Sequence, residues 1–354
     1  MKVWISGATG LIGAHSALAL LKAGHQVKLL VRNAERALAF FTEQGFTLTH
    51  DDLTIADMTD GEAVKAGMHG CDAVLHCAAV LDLSKKNAKA TYATNIKSIE
   101  AIIGGAHALG INNIVYVSSL SVFAKDTNKY GPVITEQTPL TESTMPYAHA
   151  KTGCERLVRQ LQAKGAPIQI VYPSAVYGPY SPNLNITNES VAILLNATVN
   201  TTSGIQFIDA RDLAYFHRLL LENPPTGDMS TYRFIAAGDY YAWPDMGQLM
   251  ERITERHIFK PVVPRIVLEC IGHITNILPI NNNRFHRESI DTATRWVPAD
   301  SSNMIRYINN VAMYTSEQTL IDTIRWLYHQ GHIDKKSAGA IVNAPMPDAI
   351  KPLT

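Results

Sequence analysis

The feature that most constrains the fold is a glycine loop between a short apolar segment and a helical pattern. Residues 2–6 are predicted to form a strand, Gly7, Gly10 and Gly13 follow it, and the helical pattern covers 11–23. Small residues let a backbone approach a pyrophosphate, and a helix N-terminus offers unpaired amides to its negative charge. A tight turn that binds nothing is the alternative. Strand, glycine loop and helix in this order predict a dinucleotide-binding α/β unit.

Composition limits the partners of the chain. Its 354 residues, 46% of them hydrophobic, are enough for one large domain or a domain with a substantial lobe. The 31 basic and 31 acidic residues cancel, so no net field attracts nucleic acid or an anionic membrane. The most apolar segment, 262–280, is interrupted by charges, and we expect an amphipathic or buried helix. We therefore expect no nucleic acid partner and no stable membrane insertion.

The four cysteines include no Cys-x-x-Cys pair, which is the pattern expected of reduced thiols and not of disulfides or a metal site. His76 and Cys77 are adjacent at the end of a buried strand. We interpret them as packed side chains and not as metal ligands, and we expect no metal. No signal peptide precedes the first predicted strand, so the expected location is cytoplasmic.

Tyr147 and Lys151 lie four residues apart in a segment, 146–161, that favours a helix. Residues four apart share one helix face. A phenol titrates near ~10, and a neighbouring ammonium lowers that pKa, so the pair is a candidate general acid or base. Alone, Tyr-x-x-x-Lys is also what any solvated helix face can carry.

The Gly-x-x-Gly-x-x-Gly loop, together with the position of Tyr147 and Lys151 downstream, resembles the extended short-chain dehydrogenase/reductase superfamily, also called the NAD-dependent epimerase/dehydratase family. The resemblance reaches about residue 330. It implies an α/β fold with a Rossmann-type doubly wound parallel sheet and a smaller C-terminal α/β substrate lobe. The expected organisation is a dinucleotide-binding and catalytic domain at 1–180, a substrate lobe at 181–334 with some segments returning to the sheet, and a flexible tail at 335–354.

Further positions match motifs of that family. Ala78 and Ala79 end the fourth strand, where the cofactor would lie against the backbone. Ser119 would hydrogen-bond the substrate oxygen, with Ser118 and Ser121 as alternatives. Asn95 matches an Asn that helps relay protons behind the Lys. The segment that starts at Pro173 and contains Val176 flanks the nicotinamide in relatives, which usually have Arg where this chain has Tyr172.

The end of the second strand bears on cofactor choice. An NAD site usually has an acidic residue there, whereas this chain has Arg32, which could pair with a 2′-phosphate. NADP(H) is therefore preferred and NAD(H) remains possible; Arg36 is a second candidate, and an ordinary surface Arg32 is the alternative. Asp57 is the candidate for the adenine edge, with Asp51 and Asp52 as rivals. The positions that the resemblance assigns to the cofactor are Gly7, Thr9, Gly10, Leu11, Ile12, Gly13, Arg32, Asp57, Met58, Ala78, Ala79, Tyr147, Lys151, Pro173 and Val176.

The resemblance implies interconversion of a ketone or aldehyde and an alcohol by hydride transfer, with Tyr147 as proton donor and Lys151 on the ribose. The branch it favours contains dihydroflavonol reductases and 3β-hydroxysteroid dehydrogenases. A sugar-nucleotide epimerase and a non-catalytic dinucleotide sensor remain alternatives, whereas Leu120 disfavours a dehydratase. Arg211 is a minor substrate candidate in a segment interpreted as mainly structural. Helices predicted at 86–109 and 146–164 often pair across a two-fold axis in this family, so a homodimer is expected.

Overall fold

A seven-stranded parallel sheet forms the centre of the protein, in the order β3-β2-β1-β4-β5-β6-β9. The computed structural model describes residues 1–277, 287–343 and 345–350. The strands of this sheet are β1 (Lys2–Ser6), β2 (Gln26–Val31), β3 (Leu53–Ile55), β4 (Ala73–His76), β5 (Ile114–Val117), β6 (Ile168–Pro173) and β9 (Arg233–Ala236). The crossovers from β1 to β2 and β3 on one side, and to β4, β5 and β6 on the other, confirm the Rossmann-type doubly wound fold.

Helices cover both faces of the sheet. The α-helices that the structure describes are α1 (Leu11–Lys22), α2 (Ala34–Glu43), α3 (Gly61–Met68), α4 (Ala88–Ile99), α5 (Gly105–Ala108), α6 (Thr127–Tyr130), α7 (Pro146–Ala163), α8 (Ile186–Leu194), α9 (Ala210–Glu222), α10 (Trp243–Thr254), α11 (Arg265–Ile277), α12 (Arg287–Thr294), α13 (Ser302–Tyr307), α14 (Ser316–His329) and α15 (Lys335–Ala338). A π-helical turn at 100–104 joins α4 to α5, so the predicted helix at 86–109 is helical from 88 to 108.

The side chains of β1, an inner strand, alternate between the two faces of the sheet and so pack in two separate hydrophobic cores. In β1, Val3 and Ile5 pack with α1, α2 and α9, whereas Trp4 points to the other face and packs with α3 and α7. Successive strand side chains point to opposite faces, so a strand that is covered on both sides is apolar throughout. All three side chains are fully buried.

A second, smaller sheet lies in the C-terminal half. Its strands are β7 (Ala175–Tyr177), β8 (Gly204–Asp209) and β10 (Tyr240–Ala242), in the order β10-β8-β7. Residues of α8, α10 and α14 complete a third core around it. The chain leaves the large sheet at β6 and comes back to it at β9, so the C-terminal half also contributes the outermost strand next to β6.

Two local predictions differ from the structure. The sequence predicts a third strand near residues 46–56, but only the three residues of β3 form it, because Thr49 and Asp52 form a reciprocal capping box that bends the chain just before β3. The C-terminal tail was expected to be flexible, but 335–343 is helical, and Ala338 and Ile341 are buried in the third core. The predicted 262–280 helix is described as far as Ile277, and the rest lies outside the described residues.

Candidate active site

The carboxyl ends of the parallel strands bring the sequence-predicted residues to one edge of the sheet. Register places Ser6 beside His76, and Val117 beside Val171. Gly7, Ala78 and Ser119 follow the ends of β1, β4 and β5, and Arg32 and Asp57 follow those of β2 and β3. In open α/β sheets, ligands bind in the crevice outside these carboxyl ends. Asp51 and Asp52 precede β3 and lie at the opposite edge, which removes them as rivals of Asp57.

The glycine loop is shaped by close approach of backbones. Gly7 has a φ of +76°, and a Cβ there would lie 2.8 Å from the amide nitrogen of Ala78. At Gly13 a Cβ would lie 2.3 Å from the carbonyl oxygen of Gly7, so only glycine fits either position. The exposed Gly10 is the N-cap of α1, which has no side-chain cap and no acidic residue in its first turn. The first-turn amides of α1 are therefore available to an anion.

Some of the other predicted cofactor positions pack in the hydrophobic cores, and others lie at the strand edge. Leu11 and Ile12 pack in the first core, and Met58 packs in the second, so they can face a ligand mainly through their backbones. The carbonyl oxygen of Thr9 accepts a hydrogen bond of 2.8 Å from Asn183 Nδ2. The segment after β7 therefore lies against the glycine loop, a contact that no motif predicted.

Arg32 and Asp57 face each other across the ends of β2 and β3. Both side chains are exposed. The pKa of Asp57 is lowered, first by hydrogen bonds from the Thr59 hydroxyl and amide and then by the charges of Arg32 and Lys97. Arg36 donates instead to the carbonyl oxygen of Pro182 at 3.0 Å. Arg32 makes no hydrogen bond or ion pair within the described residues, so its guanidinium is free to bind an anion.

Tyr147 is half-buried at the start of α7, with its hydroxyl on the side of the Ser119 side chain. Burial raises its pKa to about 12, and Ser119, which acts to lower this pKa, only partly opposes that effect. The expectation that Lys151 lowers this pKa is wrong for the structure as it stands, because desolvation outweighs any ammonium effect and Glu288 and Cys154 act in the same direction as burial. The phenol therefore stays protonated at neutral pH.

Lys151 is buried and points to the sheet. Its Nζ donates to the carbonyl oxygen of Val117 at 3.1 Å and lies 5.4 Å from the centre of the Tyr116 ring. Burial lowers its pKa, partly countered by Cys154, Glu155 and Cys77. The ammonium is therefore held at the end of β5, beside the serines that follow that strand.

Asn95 supports the strand edge through the Val80 main chain. Its Oδ1 accepts from the Val80 amide at 2.8 Å, and its Nδ2 donates to the Val80 carbonyl oxygen at 3.0 Å. Both functional atoms of this buried amide are thus engaged by the loop that begins with Ala78 and Ala79. Ser121 donates its amide to Ser119 Oγ at 3.1 Å, which fixes the rotamer of Ser119.

His76 and Cys77 are packed, as the sequence indicated. Burial lowers the pKa of His76 to about 3 and raises that of Cys77 to about 12, so both are neutral. His76 Nδ1 lies 2.7 Å from Ser6 Oγ, which also accepts from the Ala78 amide at 3.2 Å. Among the described residues, no three His, Cys, Asp or Glu side chains are grouped to hold a metal ion.

Sequence reasoning missed a buried network around Glu155, one turn after Lys151 on α7. Glu155 accepts hydrogen bonds from Ser118 at 2.7 Å and from the Tyr172 hydroxyl at 2.6 Å, and it pairs with Arg159 at 2.7 Å. Arg159 also donates to the Tyr172 hydroxyl at 3.1 Å. Tyr172 on β6 thus bonds both members of a Glu–Arg pair. The i, i+4 spacing of Tyr147, Lys151, Glu155 and Arg159 was the available signal.

Pro173 and Val176 lie on either side of the bend between β6 and β7. Both are buried, Pro173 beside Ala236 of β9 and Val176 beside Ile208 of β8. Sequence reasoning also missed Glu288 on α12, whose carboxylate accepts from the amides of Tyr147 and Ala148 at 3.0 and 2.8 Å. No local pattern links Glu288 to α7, since 140 residues separate them.

Arg211 is a structural residue. It is 2% exposed, pairs with Asp209 at 2.7 Å and Asp322 at 2.8 Å, and stacks 3.7 Å from the Tyr314 ring centre. The minor substrate role suggested for it is therefore not compatible with the fold. A cavity of about 270 Å³ nearby, lined by Asp209, Asp239 and Thr319 among others, includes none of the candidate catalytic residues. The candidate active site is the strand edge, because Tyr147, Ser119 and the glycine loop lie there.

A parallel doubly wound sheet with a glycine loop and a Ser–Tyr pair at its carboxyl edge defines a nucleotide-binding α/β protein. Residues 3–233 match the model of the NAD dependent epimerase/dehydratase family, and the chain belongs to that family. It is 24% identical to a Synechocystis sp. protein provisionally named dihydroflavonol 4-reductase, over 93% of this chain and 95% of that protein. It is 25% identical to cinnamoyl-CoA reductase 1 of Arabidopsis thaliana, over 63% of this chain and 67% of that protein.

The fold is also that of a solved UDP-glucose-4-epimerase from Stenotrophomonas maltophila, with bound NAD and formylated UDP-arabinopyranose. The TM-score is 0.72 at 20% identity, and the match covers 94% of this chain and 99% of the epimerase chain. Reductases and epimerases are thus both among the proteins that this chain is similar to. Within the described residues, no helix has the length and apolar character required to cross a bilayer.

Proposed function

We propose that this protein is an NADP(H)-dependent oxidoreductase that interconverts a ketone or aldehyde and an alcohol. The observation that carries the proposal is the joint position of Tyr147, Lys151 and Ser119 at the edge where the glycine loop opens, with Lys151 Nζ held 3.1 Å from the Val117 carbonyl oxygen at the end of β5. Burial raises the pKa of Tyr147 and keeps its hydroxyl protonated at neutral pH. A phenol in that state is suited to donate a proton to a carbonyl oxygen that becomes an alkoxide.

The residues at the strand edge fit a pyridine dinucleotide. The uncapped N-terminus of α1 and the glycine-only backbone at Gly7 and Gly13 would hold the pyrophosphate. The free guanidinium of Arg32 would bind a 2′-phosphate, and Asp57 would face the adenine edge. The small side chains of Ala78 and Ala79, with Pro173 and Val176, would border the ribose and nicotinamide. A bound nicotinamide supplies hydride transfer to or from carbon.

The proton transfer depends on three side chains of α7 and the β5 end. In the reductive direction, Tyr147 donates its proton to the substrate oxygen, and Ser119 donates a hydrogen bond to the same oxygen. Lys151, held at the Val117 carbonyl, would lie close enough to the ribose hydroxyls to bind them. In the oxidative direction, Tyr147 must first lose its proton, which the raised pKa opposes near pH 7.

Asn95 contacts the Val80 main chain and does not take part in the proposed proton transfer. Because its amide holds Val80, we propose that it fixes the loop after β4 against α4. The water chain that the sequence predicted at Asn95 stays a prediction. The expected homodimer, the cytoplasmic location and the domain limits at 180 and 334 also stay predictions.

An NAD-dependent sugar-nucleotide epimerase is the second candidate, favoured by the fold match over nearly the whole epimerase chain. Against it, β2 ends in Arg32 and not in an acidic residue that would bind a ribose diol. A sensor without catalysis is the third candidate. The position of Tyr147 near Ser119 argues against a non-catalytic sensor. Dinucleotide binding alone does not require a proton donor at the nicotinamide end of the site.

Titration of the purified protein with NADPH and NADH, followed by assays on two substrate sets, tests the proposal. We expect at least about tenfold tighter binding of NADPH, equivalent to ~1.4 kcal/mol, and NADPH oxidation with members of a ketone and aldehyde panel that includes dihydroflavonols and ketosteroids. Equal or tighter NADH binding with turnover of UDP-sugars would establish the epimerase candidate. Tight binding without turnover of either set, in wild type and Tyr147→Phe alike, would establish the sensor.

A further inference from the structure

Helix α7, which carries the proton donor, has no N-cap of its own. Met145 precedes it, Pro146 opens it, and no side chain of this segment caps it. Glu288 from α12 takes that place: Oε2 accepts from the Tyr147 amide at 3.0 Å and Oε1 from the Ala148 amide at 2.8 Å. The first amides of a helix need such partners, and a carboxylate also interacts favourably with the helix dipole.

The surroundings of Glu288 favour its two hydrogen bonds with the Tyr147 and Ala148 amides, which together form the Glu288 clamp. Glu288 is 8% exposed, so its carboxylate competes little with water for the two amides. Burial raises its pKa, while the hydrogen bonds from Tyr147 and Ala148 and the charge of Lys125 act in the opposite direction. Lys125 pairs at 3.5 Å with Asp291, which lies one turn further along α12 and also contacts Arg295 at 3.3 Å. Lys125 thus ties α12 to the loop that follows β5.

We propose that Glu288 is a positioning residue, which sets the Tyr147 hydroxyl against Ser119 by holding the Tyr147 main chain and so makes this pair depend on α12. The effect of Glu288 on catalysis rests on the proposed function. Its hydrogen bonds to the two amides of α7 do not depend on that function. The clamp acts on the amide of the proton donor itself, so a shift of this amide moves the phenol. Misplacement of a reacting group by ~1 Å can cost about 10²-fold in rate. The C-terminal half, which contributes α12, thereby controls whether the proton donor is assembled.

The test compares Glu288→Ala and Glu288→Gln with wild type. The alanine variant removes both acceptors, and the glutamine variant keeps the shape with one acceptor. Glu142→Gln is the matched control, because Glu142 is an exposed carboxylate that also pairs with α7, through Arg156. Circular dichroism establishes that each variant is folded, and NADPH titration measures whether it still binds dinucleotide. We expect affinities within about twofold of wild type, since all the proposed cofactor residues except Tyr147 and Lys151 lie outside α7.

The first readout is amide hydrogen exchange measured by NMR, which needs no activity. In Glu288→Ala we expect exchange at Tyr147 and Ala148 to accelerate about tenfold, the effect of losing an N-cap, with Glu288→Gln intermediate and Glu142→Gln unchanged. The second readout is carbonyl reduction: kcat should fall about 10²-fold in the alanine variant and less in the glutamine variant, with KM for NADPH unchanged.

Unchanged exchange at both amides in Glu288→Ala would overturn the inference whatever the activity. Accelerated exchange with unchanged kcat would also overturn it, because the clamp would then not serve the proton donor. If the wild type reduces no carbonyl compound while the exchange result is as expected, the proposed function has failed and the clamp stands as a link between α12 and α7.

Discussion

Lys151 donates a hydrogen bond from Nζ to the carbonyl oxygen of Val117, at a distance of 3.1 Å. This bond anchors the ammonium at the end of β5, next to Ser118 and Ser119. The phenol of Tyr147, one turn earlier on α7, has a pKa of about 12 because burial dominates its environment. The Tyr-x-x-x-Lys motif therefore presents a protonated acid beside a fixed cation, and several measurable consequences follow.

The pH dependence should differ between the two directions of the reaction. Below the pKa of Tyr147 the acid form is complete, so kcat/KM for carbonyl reduction should stay level from pH 7 to about pH 9.5. Alcohol oxidation needs the phenolate and should rise about tenfold per pH unit over the same range. Initial rates in both directions provide the measurement. A fall of the reduction rate between pH 7 and 8 would show a phenol with a low pKa.

Removing the phenolic hydroxyl should abolish proton donation and leave binding intact. We expect Tyr147→Phe to lower kcat for reduction by about 10² to 10⁴-fold, the usual contribution of a general acid. NADPH affinity should change by less than about twofold. Tyr130→Phe, at an exposed tyrosine of α6, is the control. Wild-type turnover in Tyr147→Phe would mean that another group donates the proton.

Arg32 should determine cofactor preference. The variant Arg32→Ala is expected to weaken NADPH binding about tenfold or more while NADH binding changes little, because only NADPH has the 2′-phosphate. Isothermal titration with both dinucleotides measures this. Arg36→Ala should have a smaller effect, since Arg36 donates to Pro182, and Arg306→Ala on α13 controls for loss of an exposed charge. Equal losses for both dinucleotides in Arg32→Ala would contradict the assignment.

Two buried histidines should make the fold sensitive to acid. Burial lowers the pKa of His76 and of His217 to about 3, so each favours the folded state above pH 6.5 and loses this contribution as pH falls towards 3. At pH 5 the loss is about 2 kcal/mol for each group. Urea unfolding of wild type and His217→Gln at pH 7.5 and pH 5 measures it. The drop in the free energy of unfolding from pH 7.5 to pH 5 should be about 2 kcal/mol smaller in His217→Gln than in wild type. An equal drop in both proteins would refute the prediction.

The Glu155 network should be essential for stability. Glu155→Ala leaves Arg159 without its buried carboxylate, and we expect a loss of about 2 kcal/mol in the free energy of unfolding, less than the ~3–5 kcal/mol of a fully buried pair because Arg159 is partly exposed. Arg156→Ala removes the exposed pair with Glu142 and should cost less than ~1 kcal/mol. Urea unfolding compares the two variants. Equal losses would mean that the network is no stronger than a surface ion pair.

The fold and the glycine loop were predicted correctly, because local chemistry decides them, whereas the roles of the strand-edge residues stay predictions. The glycine spacing after residues 2–6 predicted the loop, because no other residue fits at Gly7 and Gly13. The apolar run at 2–6 predicted β1, and the buried run before Ala78 and Ala79 predicted β4, because strands covered on both faces must be apolar throughout. The two departures differ in origin: a local capping box shortens β3, whereas 335–343 is helical where Ala338 and Ile341 pack against distant segments in the third core.

The sequence by itself determined the doubly wound fold, the family and the set of residues at the strand edge, since short-range spacing and burial pattern suffice for these. Only the tertiary structure placed Asp57 at the carboxyl edge of the sheet and Asp51 and Asp52 at the other edge, buried Arg211 in its ion pair, and raised the phenol pKa of Tyr147 above its usual value. It also brought Glu288 to Tyr147 across 141 positions. Desolvation and contacts between distant segments depend on how the elements pack, and no local pattern encodes them.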